Sequence, residues 1–260
     1  MHNLQFLKNM PDGLVDLVYI DPPFFTQRDF LSKKGKTQFQ DKWDSLEDFV
    51  TYIIKRCVEI HRVLKETGIF CIHVDYRTVH YLKVELDKIF GYENFINEII
   101  WSYKSGGAGK KRFSNKHDTI LVYSKSNNYT FNIQKEKSYN RDFSRYRHGK
   151  EKPIPEFKDN IGWYTIINMR DVWNLHTLGT CNNERNGYPT QKPLKLLLRI
   201  IQTFSNPGDL VADFFAGSGT TLIAAHHLKR SWLGVDNSDE AIKTMRKRFL
   251  QEINLDINIL

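Results

Sequence analysis

The first 125 residues alternate short apolar runs with stretches of helical spacing. Residues 14–20 form an apolar, β-branched run that two prolines stop, which predicts a buried strand ending in a rigid turn. Residues 45–68 have the spacing of an amphipathic helix, with a serine N-cap and Gly68 as its stop. The same patterns predict a helix at 78–90 and strands at 69–74, 97–101 and 119–124. Strands and helices that alternate in this way predict a doubly wound parallel sheet.

The periodicity fades between residues 125 and 172 and returns near residue 188. There the segment Tyr-Pro-Thr-Gln-Lys-Pro (188–193) leads into a helical pattern that Asn-Pro-Gly closes at 206–208. The remaining pattern predicts a strand at 210–212, a glycine-rich turn, a helix ending at Leu228, a strand at 232–235 and a helix at 239–251. This part of the chain therefore predicts a βαβ unit with glycines in its first turn.

The distribution of charge adds a candidate partner. The 260 residues carry a net charge of +8, and residues 101–155 hold 13 lysines and arginines against 4 acidic residues. The other 205 residues hold 25 basic and 26 acidic residues, so the positive excess lies in one segment. That segment also holds nine aromatic residues, and basic side chains between flat rings suit phosphate contacts and base stacking. A solvated basic face is the alternative, but the concentration of charge favours nucleic acid.

The rest of the composition disfavours other classes of protein. The three cysteines lie far apart without CxxC spacing, which predicts a reduced, cytoplasmic protein without structural zinc. The apolar runs are short and the mean hydropathy is −0.50, so neither a membrane span nor a secretory signal is expected. His73-Val-Asp75 and His226-His227 lack a third partner at suitable spacing, so strand-end and helix-face roles are favoured over a metal site.

A glycine turn in the C-terminal part has the features of a cofactor loop. Gly217-Ser218-Gly219 lies between a predicted strand and a helix, with Asp213 before it and Asp236 at the next strand end. Such glycines let the backbone approach a ligand, and the second carboxylate can accept hydrogen bonds from ribose hydroxyls. The third glycine of a dinucleotide loop is missing, and Asp213 suits a nucleoside with a cationic tail, such as S-adenosylmethionine. A purely structural turn is the alternative.

The position of this loop predicts a permuted sheet. Only 41 residues follow Gly219, enough for one further strand and two helices. The remaining strands of a doubly wound sheet must therefore come from the N-terminal half. Because ligands bind outside the carboxyl ends of such strands, the turn at 21–24 opens on the same crevice as Asp213 and Asp236.

The Asp-Pro-Pro-Phe turn at 21–24 can hold an exocyclic amine. Asp21 and the Pro22 carbonyl supply two acceptors, and an amine held by both loses conjugation with its ring and can attack a methyl sulfonium. Phe24, with Phe25 beside it, offers a face on which a base rotated out of the duplex can stack. The alternative is that the prolines only terminate a strand and Phe24 is part of the core.

In this order the turn, the basic segment, the helix start at 188–193 and the Asp-Phe-Phe-Ala-Gly-Ser-Gly loop resemble the β-group of amino-methylating DNA methyltransferases. Those enzymes modify adenine N6 or cytosine N4, and the resemblance covers nearly the whole chain. It implies an α/β fold with a Rossmann-like, doubly wound, mostly parallel sheet. The sheet is circularly permuted and carries an inserted DNA target recognition region.

The resemblance also implies roles for individual residues. The catalytic motif corresponds to Asp21, Pro22, Pro23 and Phe24. The implied cofactor residues are Asp213, Phe214, Phe215, Ala216, Gly217, Ser218, Gly219 and Asp236, with Gln191, Lys192 and Pro193 beside the methionine end of the cofactor. The predicted DNA contacts are the basic residues Lys104, Lys110, Lys111, Arg112, Arg141, Arg145 and Arg147.

The same resemblance divides the chain into three parts. Residues 1–103 are a catalytic half, 104–173 the target recognition region, whose strand 119–124 belongs to the sheet, and 174–260 the S-adenosylmethionine-binding half. Family members usually begin with a further strand and a Gly-Asp-Asn turn that contacts the cofactor adenine, whereas this sequence starts Met-His-Asn. Either the start is truncated or other groups bind the adenine. The short recognition region favours a compact stand-alone methylase.

We therefore expect an enzyme that transfers a methyl group from S-adenosylmethionine to an exocyclic amine of double-stranded DNA. The aspartate at the head of the motif favours adenine N6. The alternatives are cytosine N4 methylation, a catalytically silent DNA-binding relative, and methylation of RNA or of a protein amide. A homodimer and a cognate restriction endonuclease are further partners that the sequence leaves open.

Overall fold

A computed structural model describes residues 3–31, 37–104, 107, 109–139, 156–179 and 182–255. The α-helices in these ranges are α1 (Asn3–Lys8), α2 (Leu46–Val63), α3 (Val79–Phe90), α4 (Leu194–Phe204), α5 (Thr220–His227) and α6 (Asp239–Ile253). The strands are β1 (Val15–Ile20), β2 (Arg28–Leu31), β3 (Thr37–Asp41), β4 (Leu64–Val74), β5 (Phe95–Ser102), β6 (His117–Ser124), β7 (Lys135–Ser138), β8 (Phe157–Lys158), β9 (Trp163–Asn168), β10 (Val172–Asn174), β11 (Leu210–Asp213) and β12 (Ser231–Gly234).

Seven of these strands form the main sheet, in the order β10-β5-β6-β4-β1-β11-β12. All neighbours are parallel except β6, which runs antiparallel to both β4 and β5. The mostly parallel α/β fold is thus confirmed, but the strand predicted at 119–124 is not parallel. The reason is that the described residues between β5 and β6 contain no crossover helix, and a parallel strand needs such a crossover.

The strand order shows the predicted permutation. β1, near the start of the chain, pairs with β11 near its end, and Leu17 lies opposite Val211. The residues after Gly219 form α5, β12 and α6, as predicted. The carboxyl ends of β1, β11 and β12 therefore lie side by side at one edge of the sheet, as ligand binding at this edge requires.

Alternating side chains of β1 face two helical layers. Val18 and Ile20 belong to a buried cluster with Phe49 of α2, whereas Leu17 and Tyr19 belong to a second cluster with Leu197 of α4. A strand with both faces buried is apolar along its whole length, which explains the continuous run at 14–20. The strand is held from both sides, so the turn that follows it has a rigid base.

The boundary between α2 and β4 differs from the prediction. The helix begins after Ser45, whose hydroxyl accepts from the Asp48 amide at 3.0 Å, but it ends at Val63 instead of continuing toward Gly68. Leu64 already pairs with Val15, so the strand captures these residues. A Cβ at Gly68 would lie 2.8 Å from the Lys65 carbonyl oxygen. Gly68 therefore allows a close backbone approach inside β4 and is not a helix stop.

Several elements were not predicted because their sequences lack an apolar period. They are α1, the β2–β3 hairpin, and a three-stranded sheet in the order β7-β9-β8. The short strand β10 extends the edge of the main sheet, where Trp173 lies opposite Trp101. The described residues of 104–173 thus contribute to the main sheet and to the small sheet. No helix in the described residues is long and apolar enough to cross a membrane.

Candidate active site

A cavity of about 480 Å³ opens at the carboxyl ends of the central strands. This volume lies in the range of roughly 300–1,000 Å³ that is typical of small-molecule sites. The predicted residues that line it are Asp21, Pro22, Pro23, Phe24, Gln191, Lys192, Asp213, Phe214, Phe215, Ala216, Gly217, Ser218 and Asp236. Gly219 and Pro193 stand behind the lining, as the N-caps of α5 and α4. The structure therefore brings the proline turn and the glycine loop to one cavity.

Asp21 follows β1 directly and has one engaged and one free carboxylate oxygen. Lys192 Nζ donates to Asp21 Oδ2, and the two side chains are only 13% and 16% exposed. Oδ1 is buried, and no donor among the described residues reaches it. A buried oxygen without a donor is costly, so a substrate donor is the natural partner of this atom. Sequence reasoning placed Lys192 near the cofactor but did not predict its pairing with Asp21.

Phe24 forms an aromatic wall of the cavity and is half-buried. Its ring lies 5.6 Å from the imidazole of His73, and Lys192 Nζ lies 5.1 Å from the ring centroid. Phe25 instead packs against Phe49 in the core, at 5.8 Å between ring centroids. Phe24 alone is thus placed to stack on a base, and the suggestion that Phe25 assists it is wrong.

The loop after the proline turn is organised by the buried carboxylate of Asp41. Its oxygens accept from the backbone amides of Phe24, Phe25 and Thr26 at 3.2, 3.0 and 2.8 Å. They also accept from the Thr26 hydroxyl at 2.7 Å and from the indole of Trp43 at 2.9 Å. These five bonds hold Phe25 at a φ of 59°, a conformation that non-glycine residues rarely adopt. Asp41 was missed because four of its five hydrogen bonds come from residues 15 to 17 positions away.

Two buried carboxylates hold the glycine loop. Asp213 accepts from the Thr221 hydroxyl at 2.6 Å and from the Phe215 amide at 2.9 Å. Asp236 accepts from the Gly217 amide at 2.8 Å and from the Ser238 amide at 2.9 Å. The Thr221 hydroxyl thus links α5 to the end of β11. The loop is therefore fixed from both strand ends before any ligand binds.

The two glycines of the loop have positive φ values and close neighbours. Gly217 has a φ of 51°, and a Cβ there would lie 3.2 Å from the ring of Tyr188. Gly219 has a φ of 77°, and its Cβ would lie 2.7 Å from Met245 Cγ. Both positions therefore require glycine for conformation and for space.

The cavity is electrically negative. Asp21, Asp213 and Asp236 line it, and Lys192 is the one lysine or arginine among the lining residues in the described part of the chain. Burial raises the pKa of Asp213 to about 7, against the hydrogen bonds from Thr221 and Phe215, and burial also raises the pKa of Asp236. A cationic ligand would favour the charged form of both carboxylates. The lining therefore fits a sulfonium compound better than a pyrophosphate.

The helix start at 188–193 forms the remaining wall. Gln191 uses its side chain inside the loop, where it accepts from the Asn186 amide at 2.9 Å and donates to the Glu184 carbonyl at 2.8 Å. Tyr188 is buried against Gly217, and burial raises the pKa of its phenol well above the usual range. Of the three predicted residues here, Lys192 thus presents its charge to the cavity, and Gln191 shapes the backbone.

A family model described as DNA methylase, of the N6 and N4 type, matches residues 15–247. The DNA adenine methyltransferase YhdJ of Escherichia coli (strain K12) is 32% identical over 250 residues, which cover 93% of this chain and 78% of that protein. The type II methyltransferase M.HpaI of Haemophilus parainfluenzae is 30% identical over 254 residues, or 96% of this chain and 73% of that protein.

The chain belongs to the DNA methylase family.

The fold of this DNA methylase is also that of a solved relative. The crystal structure of the M1.HpyAVI–SAM complex superimposes with a TM-score of 0.62 at 21% identity and covers 96% of each chain. The DNA methylase is thus an S-adenosylmethionine-dependent enzyme that methylates adenine N6 or cytosine N4 in DNA. The predicted enzyme class, cofactor and DNA substrate are confirmed at this level.

The DNA methylase has further cavity residues that the sequence did not indicate. Asn3 is buried, donates to the Phe214 carbonyl at 2.9 Å and accepts from Arg56 Nε at 2.8 Å. The guanidinium of Arg56 lies 3.3 Å from the ring centroid of Tyr52, which also lines the cavity. These residues support the glycine loop from the side of α1 and α2. No spacing in the sequence links them, because they come from separate elements.

The predicted DNA contacts lie only partly in the described residues. Lys104, Lys110, Lys111 and Arg112 are exposed in the β5–β6 loop, which leaves the main sheet at the same edge as the cavity. Arg141, Arg145 and Arg147 lie outside the described residues. The basic β5–β6 loop therefore lies at the same edge of the main sheet as the cavity.

The remaining sequence candidates have other surroundings. His73 is fully buried on β4 with partners on both ring nitrogens, and His226 and His227 end α5. Cys57 and Cys71 are buried free thiols. Among the described residues, no group of three or more histidines, cysteines or acidic residues could hold a metal ion.

Proposed function

We propose that this DNA methylase acts on the N6 amine of adenine, on a base turned out of the duplex into the cavity. The observation that carries the proposal is the buried acceptor Asp21 Oδ1, which has no donor among the described residues and lies beside the half-buried ring of Phe24. An amine inside a base stack cannot reach such an atom, so the base must leave the helix. Phe24 then supplies the face that replaces the lost stacking.

The proline turn would hold the amine in a reactive geometry. Asp21 Oδ1 accepts one N–H and the Pro22 carbonyl accepts the other, which draws the nitrogen lone pair out of conjugation with the ring. When bound, S-adenosylmethionine supplies an electrophilic methyl group on a sulfonium sulfur. The nitrogen–carbon bond would form as the carbon–sulfur bond breaks, its electron pair would stay on sulfur to give a neutral thioether, and the methylated amine would release one proton to water. The Asp21 carboxylate stabilises the positive charge that develops on the amine.

The glycine loop would hold the cofactor. Asp236 follows β12, and its carboxylate has acceptor capacity beyond the backbone amides that it already binds, as ribose hydroxyls require. The backbone at Gly217 can approach a ligand closely because there is no side chain there. We assign cofactor binding to the other loop residues from Asp213 to Gly219 as well. Lys192 lies between this loop and the Asp-Pro-Pro-Phe turn.

Adenine is favoured over cytosine by two observations. The motif begins with aspartate, whereas in the family that the chain resembles a serine at this position leans toward cytosine. The relative YhdJ, at 32% identity, is named a DNA adenine methyltransferase. Both observations support N6 methylation.

The test is methyl transfer from radiolabelled S-adenosylmethionine to duplex DNA, followed by digestion to nucleosides and mass spectrometry. We expect label in N6-methyladenine. Asp21→Ala should lower the rate by roughly 10²- to 10⁴-fold while cofactor binding survives. Asp12→Asn, at an exposed carboxylate paired with Arg62, is the matched control and should keep the wild-type rate. Label in N4-methylcytosine, or in RNA or protein alone, would overturn the proposal, as would a wild-type rate in Asp21→Ala.

We also propose two partners, a second copy of this chain and a cognate restriction endonuclease. Light scattering with size-exclusion chromatography tests for a homodimer, and protection of DNA against a panel of restriction endonucleases tests for a cognate nuclease specificity. The division at residues 104 and 173 is proposed to separate recognition from chemistry. Exchange of residues 104–173 with those of a relative should change the methylated sequence and keep the methylated atom.

A further inference from the structure

A buried chain of hydrogen bonds lies directly beneath the Asp-Pro-Pro-Phe turn. The Tyr19 hydroxyl lies 2.8 Å from His73 Nδ1, and His73 Nε2 lies 3.2 Å from Asp118 Oδ2. The Tyr103 hydroxyl donates to Asp118 Oδ1 at 2.9 Å. Tyr19 and His73 are almost fully buried, and the Asp118 side chain is 14% exposed. The four residues come from β1, β4, β6 and the end of β5, so the fold alone assembles this chain.

The charge of Asp118 determines which groups donate and which accept in this chain of hydrogen bonds. Burial acts to raise the pKa of Asp118, but the hydrogen bond from His73, the nearby Lys192 ammonium and the Tyr103 hydroxyl hold it below its usual range. Asp118 is therefore an ionised carboxylate and can only accept. His73 therefore donates from Nε2 to Asp118, and in the neutral imidazole Nδ1 is then the acceptor. Burial, reinforced by Asp21, raises the pKa of Tyr19, so its hydroxyl stays protonated and donates to Nδ1.

The same nitrogen also faces the proposed catalytic carboxylate. His73 Nδ1 lies 3.9 Å from Asp21 Oδ1, the oxygen without a donor among the described residues. A proton on Nδ1 would place a donor against that oxygen, and a Tyr19 hydroxyl released from Nδ1 would be a second one. With the proton on Nε2 and the Tyr19 hydroxyl donating to Nδ1, neither group donates to Oδ1. The ring has little freedom to rotate, because Trp101 and Phe24 lie 5.4 and 5.6 Å from its centroid.

We propose that His73 and Asp118 are positioning residues that keep Asp21 Oδ1 free for the target amine, by fixing the imidazole as the Nε2–H tautomer. This inference rests on the proposed role of Asp21 as the amine acceptor. It also gives a reason why the folded protein keeps Asp21 Oδ1 without a donor, although a buried acceptor without a hydrogen bond costs free energy. The target amine then finds no other donor bonded to Asp21 Oδ1 when the base enters the cavity.

The first test uses Asp118→Asn, which keeps the shape of the side chain but can donate. The amide introduced at this position would donate to His73 Nε2, and the ring proton would move to Nδ1, facing Asp21. We expect the ¹⁵N chemical shifts of His73, assigned by comparison with His73→Gln, to exchange between the two nitrogens. We expect kcat to fall roughly tenfold to a hundredfold and the dissociation constant of S-adenosylmethionine to stay within about threefold.

Asp87→Asn is the matched control. Tyr123 of β6 donates to Asp87 of α3 at 2.7 Å, so this variant disrupts a similar tyrosine–aspartate pair elsewhere in the protein. It should lower stability without changing kcat of the folded enzyme or the His73 shifts. An unchanged tautomer in Asp118→Asn, or an exchanged tautomer with wild-type kcat, would overturn the inference.

A double-mutant cycle gives a second readout that does not depend on Asp118. His73→Phe removes the acceptor of the Tyr19 hydroxyl, which is then free to donate to Asp21 Oδ1, so kcat should fall at least about tenfold. Adding Tyr19→Phe removes that donor, and kcat should rise again relative to His73→Phe; the single Tyr19→Phe variant completes the cycle. A purely structural role predicts additive losses. Activity retained in Asp21→Ala would instead refute the proposed function itself, which separates the two failures.

Discussion

At the scale of single residues, the methylase depends on carboxylates whose partners are backbone amides. Asp41 shows this most clearly, because its two oxygens accept five hydrogen bonds and the side chain is 1% exposed. A neutral amide cannot replace it, since one of its two polar atoms is a donor. The position of Phe24 in the cavity therefore depends on the charge of a residue 17 positions away.

Asp41→Asn should consequently weaken both stability and catalysis. It would leave buried amides without an acceptor, and we expect the free energy of unfolding to fall by about 2–3 kcal/mol and kcat by about tenfold. Urea denaturation and methyl transfer measure the two effects. Asp29→Asn, which loses an exposed ion pair to Lys42 in the same hairpin, should cost less than about 1 kcal/mol. Equal losses in the two variants would contradict the proposed role of Asp41.

Asp213 makes the stability of the ligand-free enzyme depend on pH. Its pKa is about 7 in the folded protein against 3.8 in an unfolded chain, so the folded state holds a proton that the unfolded state has released. The free energy of unfolding therefore falls as the pH rises from about 4 through 7, by at most about 4 kcal/mol. Urea denaturation at pH 5 and pH 8 should show this loss, and Asp213→Asn should reduce it. A loss of the same size in Asp213→Asn would mean that other groups cause the pH dependence of stability.

At the scale of elements, the glycine loop joins β11 to α5 in a geometry that other residues cannot adopt. Gly219→Ala would combine a positive φ with overlap against Met245, and we expect a cost of about 2–4 kcal/mol in thermal or chemical unfolding. Gly13→Ala separates the two effects, because Gly13 has a φ of 63° with nothing near its Cβ position. That control should cost about 1 kcal/mol. A similar cost for both would show that the contact with Met245 is unimportant.

The elements that were predicted correctly are those with apolar periods. β1, α3, α4 and α6 are visible in the chain because burial on one or both faces leaves a repeating pattern. The hairpin of β2 and β3 and the small sheet of β7, β8 and β9 are largely exposed or polar, so no such pattern exists there. The end of α2 was misplaced because pairing of Leu64 with Val15 is a tertiary effect.

The site was predictable to a similar degree. Asp21, Phe24, Asp213 and Asp236 could be found because each stands at a strand end or turn with a distinctive neighbourhood. Asp41 and the chain from Tyr19 to Tyr103 could not, since their partners are distant in sequence and their roles depend on which atoms face each other. Functional residues within a sequence motif can thus be predicted from the sequence. Residues whose roles depend on contacts between separate elements cannot.

At the scale of the whole molecule, charge is divided between a nearly neutral body and a basic segment. The basic β5–β6 loop should therefore affect DNA binding without affecting cofactor binding. Changing Lys110, Lys111 and Arg112 to glutamine should weaken DNA binding and reduce the slope of log affinity against log salt by up to about 3. Fluorescence anisotropy at several salt concentrations measures this slope.

The matched control removes the same charge from another surface. Lys243, Arg246 and Lys247 lie on α6, which packs through Phe249 against Trp232 of β12. Their replacement by glutamine should leave the slope unchanged. If both triple variants reduced it equally, DNA binding would follow net charge and not the position of the loop.

The pairing of β1 with β11 also has a consequence for the order of events during synthesis. Leu17 leaves the ribosome long before Val211, its neighbour in the sheet. Until then the nascent chain carries an apolar central strand with one open edge, which is prone to associate with other chains. The active site closes only when β11 and β12 join that edge. The site can therefore form only after β11 and β12 have left the ribosome, and the enzyme cannot modify a base before then.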